Sequence, residues 1–75
     1  MSVASTVVEV LEPYVGHTVA DTCVRGTAIS LGKMSDELGP ADLPALSDRI
    51  RRLLLPIAPA VTVDALIDRI EREAA

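Results

Sequence analysis

The sequence predicts an all-α fold, a compact bundle of four short helices in a single small domain spanning residues 1–75. Apolar residues make up 49% of the chain and recur three and four residues apart in four segments, which is the helical period. Glycine and proline residues separate these segments, and short linkers favour near-antiparallel packing of consecutive helices. Short β-branched runs occur only inside these helical patterns, so the indications for strands are weak.

The first predicted helix runs from about Val3 to Tyr14. Ser2 is a suitable N-cap, because its side-chain oxygen can accept a hydrogen bond from a backbone N–H of the first turn. Pro13 is unfavourable near the other end, so the helix could already stop at Glu12. The apolar face consists of Val3, Val7, Val10, Leu11 and Tyr14.

The second predicted helix runs from about His17 to Leu31. Gly16 separates it from the first helix, and Gly32 suits the position after a helix end where a positive φ is required. Gly26 lies in the middle of the helix and costs about 1 kcal/mol relative to alanine. The inward arc is predicted to consist of Val19, Ala20, Cys23, Val24, Thr27 and Leu31.

The segment from Lys33 to Ala41 is predicted to be a loop with one short turn over residues 35–38. The third predicted helix follows from about Leu43 to Leu55, with Asp42 as its N-cap and Pro44 in its first turn. Its apolar face consists of Leu43, Leu46, Ile50, Leu53 and Leu54.

The fourth predicted helix runs from about Val63 to Ala74, with Thr62 as its N-cap. Asp64 would then lie in the first turn, where the helix dipole favours an anion. Two acid–arginine pairs at a spacing of four residues support the helix, Asp68 with Arg72 and Arg69 with Glu73. The predicted inward residues are Val63, Leu66, Ile67 and Ile70.

The near absence of aromatic residues bears on how this chain is stabilised. It contains one tyrosine and no phenylalanine or tryptophan, so its core must be built from aliphatic side chains. A domain of this size buries a modest fraction of its surface, and a single cysteine offers no internal disulfide. We therefore expect stabilisation by association, as a homodimer, a higher homo-oligomer or a complex with a protein partner.

Two apolar residues do not fit the predicted inward faces. Ile29 lies in the polar arc of the second helix, and Leu55 projects from the polar side of the third. We expect both to be covered by something outside the chain, either at an interface or through a first or fourth helix exchanged with a second protomer. The function this predicts is that of a small non-enzymatic interaction, adaptor or regulatory module acting through aliphatic helix faces.

His17, the only histidine, supports a first alternative function. It could be the phosphoacceptor of a phosphotransfer-type signalling module, or a general base, with Asp21 one helical turn further on. A polar residue at a helix start that pairs with Asp21 is the structural interpretation, which we favour because the basic and glycine neighbours of phosphotransfer motifs are missing.

The arginines Arg49, Arg51 and Arg52 support a second alternative, a small DNA-binding regulator. They form the one basic cluster of a chain with net charge −4, and they could contact phosphates. Residues 1–48 carry seven acidic and two basic residues, so pairing of these arginines with acidic groups of the chain or of a partner competes with that interpretation. Stacking aromatics are missing, which makes nucleic acid the less favoured partner.

Motifs for catalysis and for metal binding are missing from the sequence. Cys23 is six residues from His17 and on another helix face, and it is expected to be a small buried apolar residue. No CxxC, HExxH, acidic metal loop or glycine-rich phosphate loop occurs. We therefore expect no enzymatic activity, no metal and no cofactor.

The sequence also predicts a cytoplasmic location. No apolar run approaches the ~20 residues that a membrane span requires, and the N-terminal residues lack the basic leader of a signal peptide. Arginine outnumbers lysine six to one, and alanine, valine and aspartate are frequent, which is compatible with a bacterial source.

Overall fold

The computed structural model describes residues 2–74, and within that range all regular structure is helical. The four predicted helices are confirmed in number and order. They are α1 (Val3–Val15), α2 (His17–Ser30), α3 (Leu43–Leu54) and α4 (Ala60–Ala74). Two single 3-10 turns, Ser35–Glu37 and Pro40–Asp42, connect α2 to α3.

The four helices pack in a ring in which each helix contacts two others: α2 contacts α1 and α3, and α4 contacts α3 and α1. The Cα radius of gyration is 11.0 Å. A compact chain of this length should have a radius of about 11 Å, so the helices enclose one core.

The buried apolar residues are aliphatic apart from Cys23, and two threonines, Thr6 and Thr27, are buried with them. Most predicted inward residues are buried, and α4 follows its predicted face completely, with Val63, Leu66, Ile67 and Ile70 all buried. The loop also contributes, because Leu38 is only 4% exposed and packs with the core.

Four residues predicted to face inward are instead exposed, at 40% to 62%: Tyr14, Val19, Leu31 and Leu53. Val19 lies about 140° from Val24 around α2 at 100° per residue, so it points away from the buried arc. Leu31 follows the last residue of α2, and Tyr14 lies one turn beyond Leu11, near the end of α1. Both therefore extend past the region where neighbouring helices can cover them.

The predicted helix ends are confirmed where local signals are strong. The backbone N–H of Ser5 donates to the Ser2 side chain at 3.1 Å, so Ser2 is the N-cap of α1. Gly32 has φ of 70°, and the N–H of Lys33 reaches the carbonyl of Ala28 at 2.9 Å, which closes α2 with a Schellman motif.

Other helix ends differ from the prediction. The first helix continues through Pro13 to Val15, because proline removes only one donor and the N–H of Gly16 still bonds to the carbonyl of Glu12 at 2.9 Å. Asp42 makes no side-chain cap bond with α3, and its carboxylate instead accepts from the N–H of Gly39 at 2.9 Å.

The fourth helix begins at Ala60, three residues earlier than predicted. The carbonyl of Pro59 accepts from the N–H groups of Thr62 and Val63 at 3.0 and 3.1 Å. Thr62 is therefore inside the helix and is not its N-cap. Asp64 lies beyond the first turn and forms an ion pair with Arg51 of α3.

Candidate interaction surface

Ile29 and Leu55 are both exposed in the chain's own fold, at 76% and 47%. They lie towards opposite ends of the bundle. The start of α3 is fixed beside the end of α2 by the Lys33–Asp42 ion pair at 2.9 Å, which is the end where Ile29 lies. Leu55 follows the other end of α3, a 12-residue helix and therefore about 18 Å long.

Each of these two residues has exposed apolar neighbours. At the first end, which we call the Ile29 end, Met34 is 69% exposed and lines a hollow of about 510 Å³ together with Ile29. At the other, the Leu55 end, Ile57 and Val61 are 72% and 75% exposed, and Tyr14 lines a hollow with Val61. Sequence reasoning missed these neighbours because loop residues and helix-end residues carry no periodic signal.

A third surface feature is a groove of about 290 Å³ between α2 and α3, on the side of the bundle. Leu31 and Leu53, each 41% exposed, provide its large apolar side chains. Its complete lining is Thr27, Ser30, Leu31, Ala45, Asp48, Arg49, Arg52 and Leu53. We call it the α2–α3 groove.

Arg49 crosses from α3 to α2 at this groove. Its Nη2 atom donates to the hydroxyl of Ser30 at 3.0 Å. A Cβ atom placed on Gly26 would lie 2.8 Å from Nη1 of Arg49, closer than real Cβ contacts allow. The glycine in the middle of α2, unfavourable for a helix, therefore leaves room for the guanidinium in the position that it occupies.

Two of the three predicted cluster arginines, Arg49 and Arg52, line the α2–α3 groove, and Arg51 lies apart from them, facing α4. Arg51 pairs with Asp64 on α4, and Arg52 pairs with Asp48 of its own helix at 3.1 Å. Arg49 reaches from α3 to the Ser30 hydroxyl at the end of α2. At 100° per residue, position 51 lies 100° or more from positions 49 and 52, whereas positions 49 and 52, three residues apart, are separated by only about 60° and share one face of α3.

His17 and Asp21 do not pair with each other. The Nδ1 atom of His17 lies 3.3 Å from a carboxylate oxygen of Glu12 in α1, and the side chain is 70% exposed. Asp21 pairs with Arg25 at 2.9 Å. The sharp turn at Gly16 places Glu12 beside His17, a contact that helical spacing alone does not indicate.

Cys23 lies inside the bundle and is only 2% exposed. The pKa of its thiol is raised to about 11, because burial raises it by more than the positive charge of Arg49 lowers it. The thiol therefore stays protonated near neutral pH. Among residues 2–74, no group of three or more histidine, cysteine, aspartate and glutamate residues is placed to hold a metal ion.

In the described part of the chain, no helix has the length and apolar character needed to cross a bilayer.

Comparison of the chain with protein families, curated proteins and solved structures gives no significant match.

Proposed function

We propose that this protein is a small non-enzymatic interaction module that associates with protein surfaces, a second copy of itself included, through exposed aliphatic side chains at the Ile29 and Leu55 ends. The observation that carries this proposal is that the core closes without these residues. Seventeen apolar side chains are buried within the chain, while Ile29, Met34, Leu55, Ile57 and Val61 remain outside it.

The free energy gained by covering one side chain is smaller than the cost of association, so several of these side chains must be covered together. Covering one large aliphatic side chain is worth about 1.5–3 kcal/mol. Association costs at least about 4 kcal/mol in lost translational and rotational freedom. Ile29 alone cannot offset that cost, whereas a contact that includes Met34 or the Leu55 end can.

The placement at opposite ends favours a specific mode of self-association. If the Ile29 end of one copy contacts the Leu55 end of the next, the interface is heterologous, with different surfaces on its two sides. Such a contact buries both residues at once. A two-fold contact between identical ends would bury only one of them.

Sedimentation velocity at micromolar concentration tests this proposal with the parent chain and the variants Ile29→Ser and Leu55→Ser. We expect the parent to associate and each variant to sediment as a monomer. An equimolar mixture of the two variants should recover a dimer, because the intact Leu55 end of one can bind the intact Ile29 end of the other.

Circular dichroism of each variant provides the control, since both should keep the helical spectrum of the parent. A folded parent that sediments as a monomer throughout would refute self-association. If only one substitution prevents association and the other variant still sediments as a dimer by itself, the contact is two-fold and the head-to-tail mode is wrong.

A further inference from the structure

Arg49 differs from every other arginine of the described chain in its partners. Arg25, Arg51, Arg52, Arg69 and Arg72 each form an ion pair with a carboxylate. Among residues 2–74, Arg49 has no carboxylate within ion-pair distance, and its one side-chain acceptor is the Ser30 hydroxyl. A guanidinium has five N–H donors in a planar fork, so most of the donors of Arg49 are left for another acceptor.

The position of this guanidinium is defined by its surroundings. Ser30 accepts from Arg49 and donates to the carbonyl of Gly26 at 2.9 Å, and Gly26 leaves the space that the guanidinium fills. The side chain is partly buried. A donor fork held in one place loses less conformational freedom when it binds, which favours a planar anion such as a carboxylate.

The rest of the groove adds a local charge and an apolar wall. Its charged lining residues are Arg49, Arg52 and Asp48, so it carries one net positive charge on a chain of net charge −4. Leu31 and Leu53 flank it with half-exposed aliphatic surface. Its volume of about 290 Å³ is at the lower limit for small-molecule pockets, about 300–1,000 Å³, and suits one or two side chains.

We infer that the α2–α3 groove binds a segment of a partner protein that presents a carboxylate side chain next to an aliphatic one. The carboxylate accepts hydrogen bonds from Arg49, and the aliphatic side chain packs against Leu31 and Leu53. This site is separate from the two ends that the proposed self-association uses, so either conclusion can fail without the other.

A titration followed by ¹H–¹⁵N NMR tests this inference with two probes, N-acetyl-Leu-Glu-amide and N-acetyl-Leu-Gln-amide. We expect the glutamate probe to shift the signals of the Arg49 side chain and of the Ser30 and Leu53 amides. The glutamine probe should bind about tenfold more weakly, because a hydrogen bond to a charged group is roughly twice as strong as a neutral one. Equal binding of the two probes would show that no carboxylate is recognised.

Two variants and one control test whether Arg49 is responsible for the preference for the glutamate probe. In Arg49→Gln the preference for the glutamate probe should disappear. In Gly26→Ala, where arginine is kept but the new Cβ shifts its guanidinium, the preference should be reduced, though less than in Arg49→Gln. The control Arg72→Gln, on α4 and away from the groove, should retain the full preference, and each variant is checked for the parent's helical spectrum.

Sodium acetate and inorganic phosphate complete the experiment. Acetate should bind more weakly than the glutamate probe, because it lacks the aliphatic part. If acetate or phosphate produces the same shifts at the same concentrations, the site is a simple anion site and the inference about a partner segment is wrong. It is equally wrong if no probe shifts these signals, or if Arg49→Gln behaves like the parent.

Discussion

At the scale of single residues, the contact between Gly26 and Arg49 is one that the sequence does not predict. Helix propensity alone predicts that the glycine at position 26 weakens α2. The structure supplies the compensating contact, because the guanidinium of Arg49 occupies the space where a Cβ would be. The contact joins two helices that are distant along the chain, so no local spacing indicates it.

The ion pairs of His17 and Asp21 also differ from those that the sequence predicts. His17 and Asp21 are four residues apart, and that spacing predicted a pair within one helix. Each residue instead pairs with a different neighbour, Glu12 and Arg25. Spacing identifies which side chains can meet on a helix, but competing partners on the preceding helix or on the next turn decide which of them do.

Gly26→Ala and Arg49→Ala form a double-mutant cycle that measures the coupling between these two positions. In the parent, Gly26→Ala should stabilise by less than the helix-propensity gain of about 1 kcal/mol, because the new Cβ shifts the end of the Arg49 side chain and weakens its bond to Ser30. In the Arg49→Ala background the same substitution should stabilise by the full ~1 kcal/mol. Urea unfolding measures both, and equal effects in the two backgrounds would show that the positions are uncoupled.

At the scale of helices and turns, prediction succeeded where the structure depends on neighbouring residues. Ser2 caps α1, and Gly32 ends α2 with a positive φ, as the residue types indicate. It failed where an alternative partner was available. Asp42 looks like a helix cap, yet its carboxylate is already bound by Gly39 and Lys33. The sequence predicts that Asp64 interacts with the dipole of α4, whereas in the structure it forms an ion pair with Arg51 of α3.

Two glycines at the ends of local turns offer a matched comparison. Gly32 has φ of 70°, whereas Gly39 has φ of −124°, and neither has an atom within 4 Å of an added Cβ. Gly32→Ala should therefore lower the free energy of unfolding by about 1–2 kcal/mol, the cost of the left-handed conformation for an L-residue. Gly39→Ala should be neutral or stabilise by up to about 1 kcal/mol, because alanine restricts the unfolded chain.

Chemical denaturation of the two alanine variants distinguishes this conformational cost from a general effect of adding a methyl group. Similar losses in both would mean that the positive φ of Gly32 contributes nothing to stability. The expected difference between them is what a Schellman motif requires.

At the scale of the whole molecule, periodicity predicted the fold class and most of the core, because burying one face per helix leaves few arrangements for four short helices. It did not predict how the outward apolar residues are grouped. Ile29 and Leu55 share the property of lying on polar arcs, but only the packing order of the helices places them at opposite ends. The groove at Arg49 could not be predicted from the sequence either, because its lining comes from two helices that are separated by a connection of twelve residues.

Two leucines, Leu46 within α3 and Leu55 directly after it, differ in how far the fold buries them. Leu46 is 0% exposed in the core, and Leu55 is 47% exposed at the end of α3. Leu46→Ala should lower the free energy of unfolding by about 2–5 kcal/mol, through lost burial and the cavity left behind. Leu55→Ala should change it by less than about 0.5 kcal/mol when the chain is dilute enough to be monomeric.

Raising the protein concentration should separate the roles of these two leucines further. The melting temperature of the parent should rise with concentration if association covers the Leu55 end, because binding of the folded state stabilises it. The rise should be lost in Leu55→Ala and retained, from a lower starting value, in Leu46→Ala. A Leu55→Ala variant that loses several kcal/mol even in dilute solution would mean that this leucine belongs to the core of the single chain.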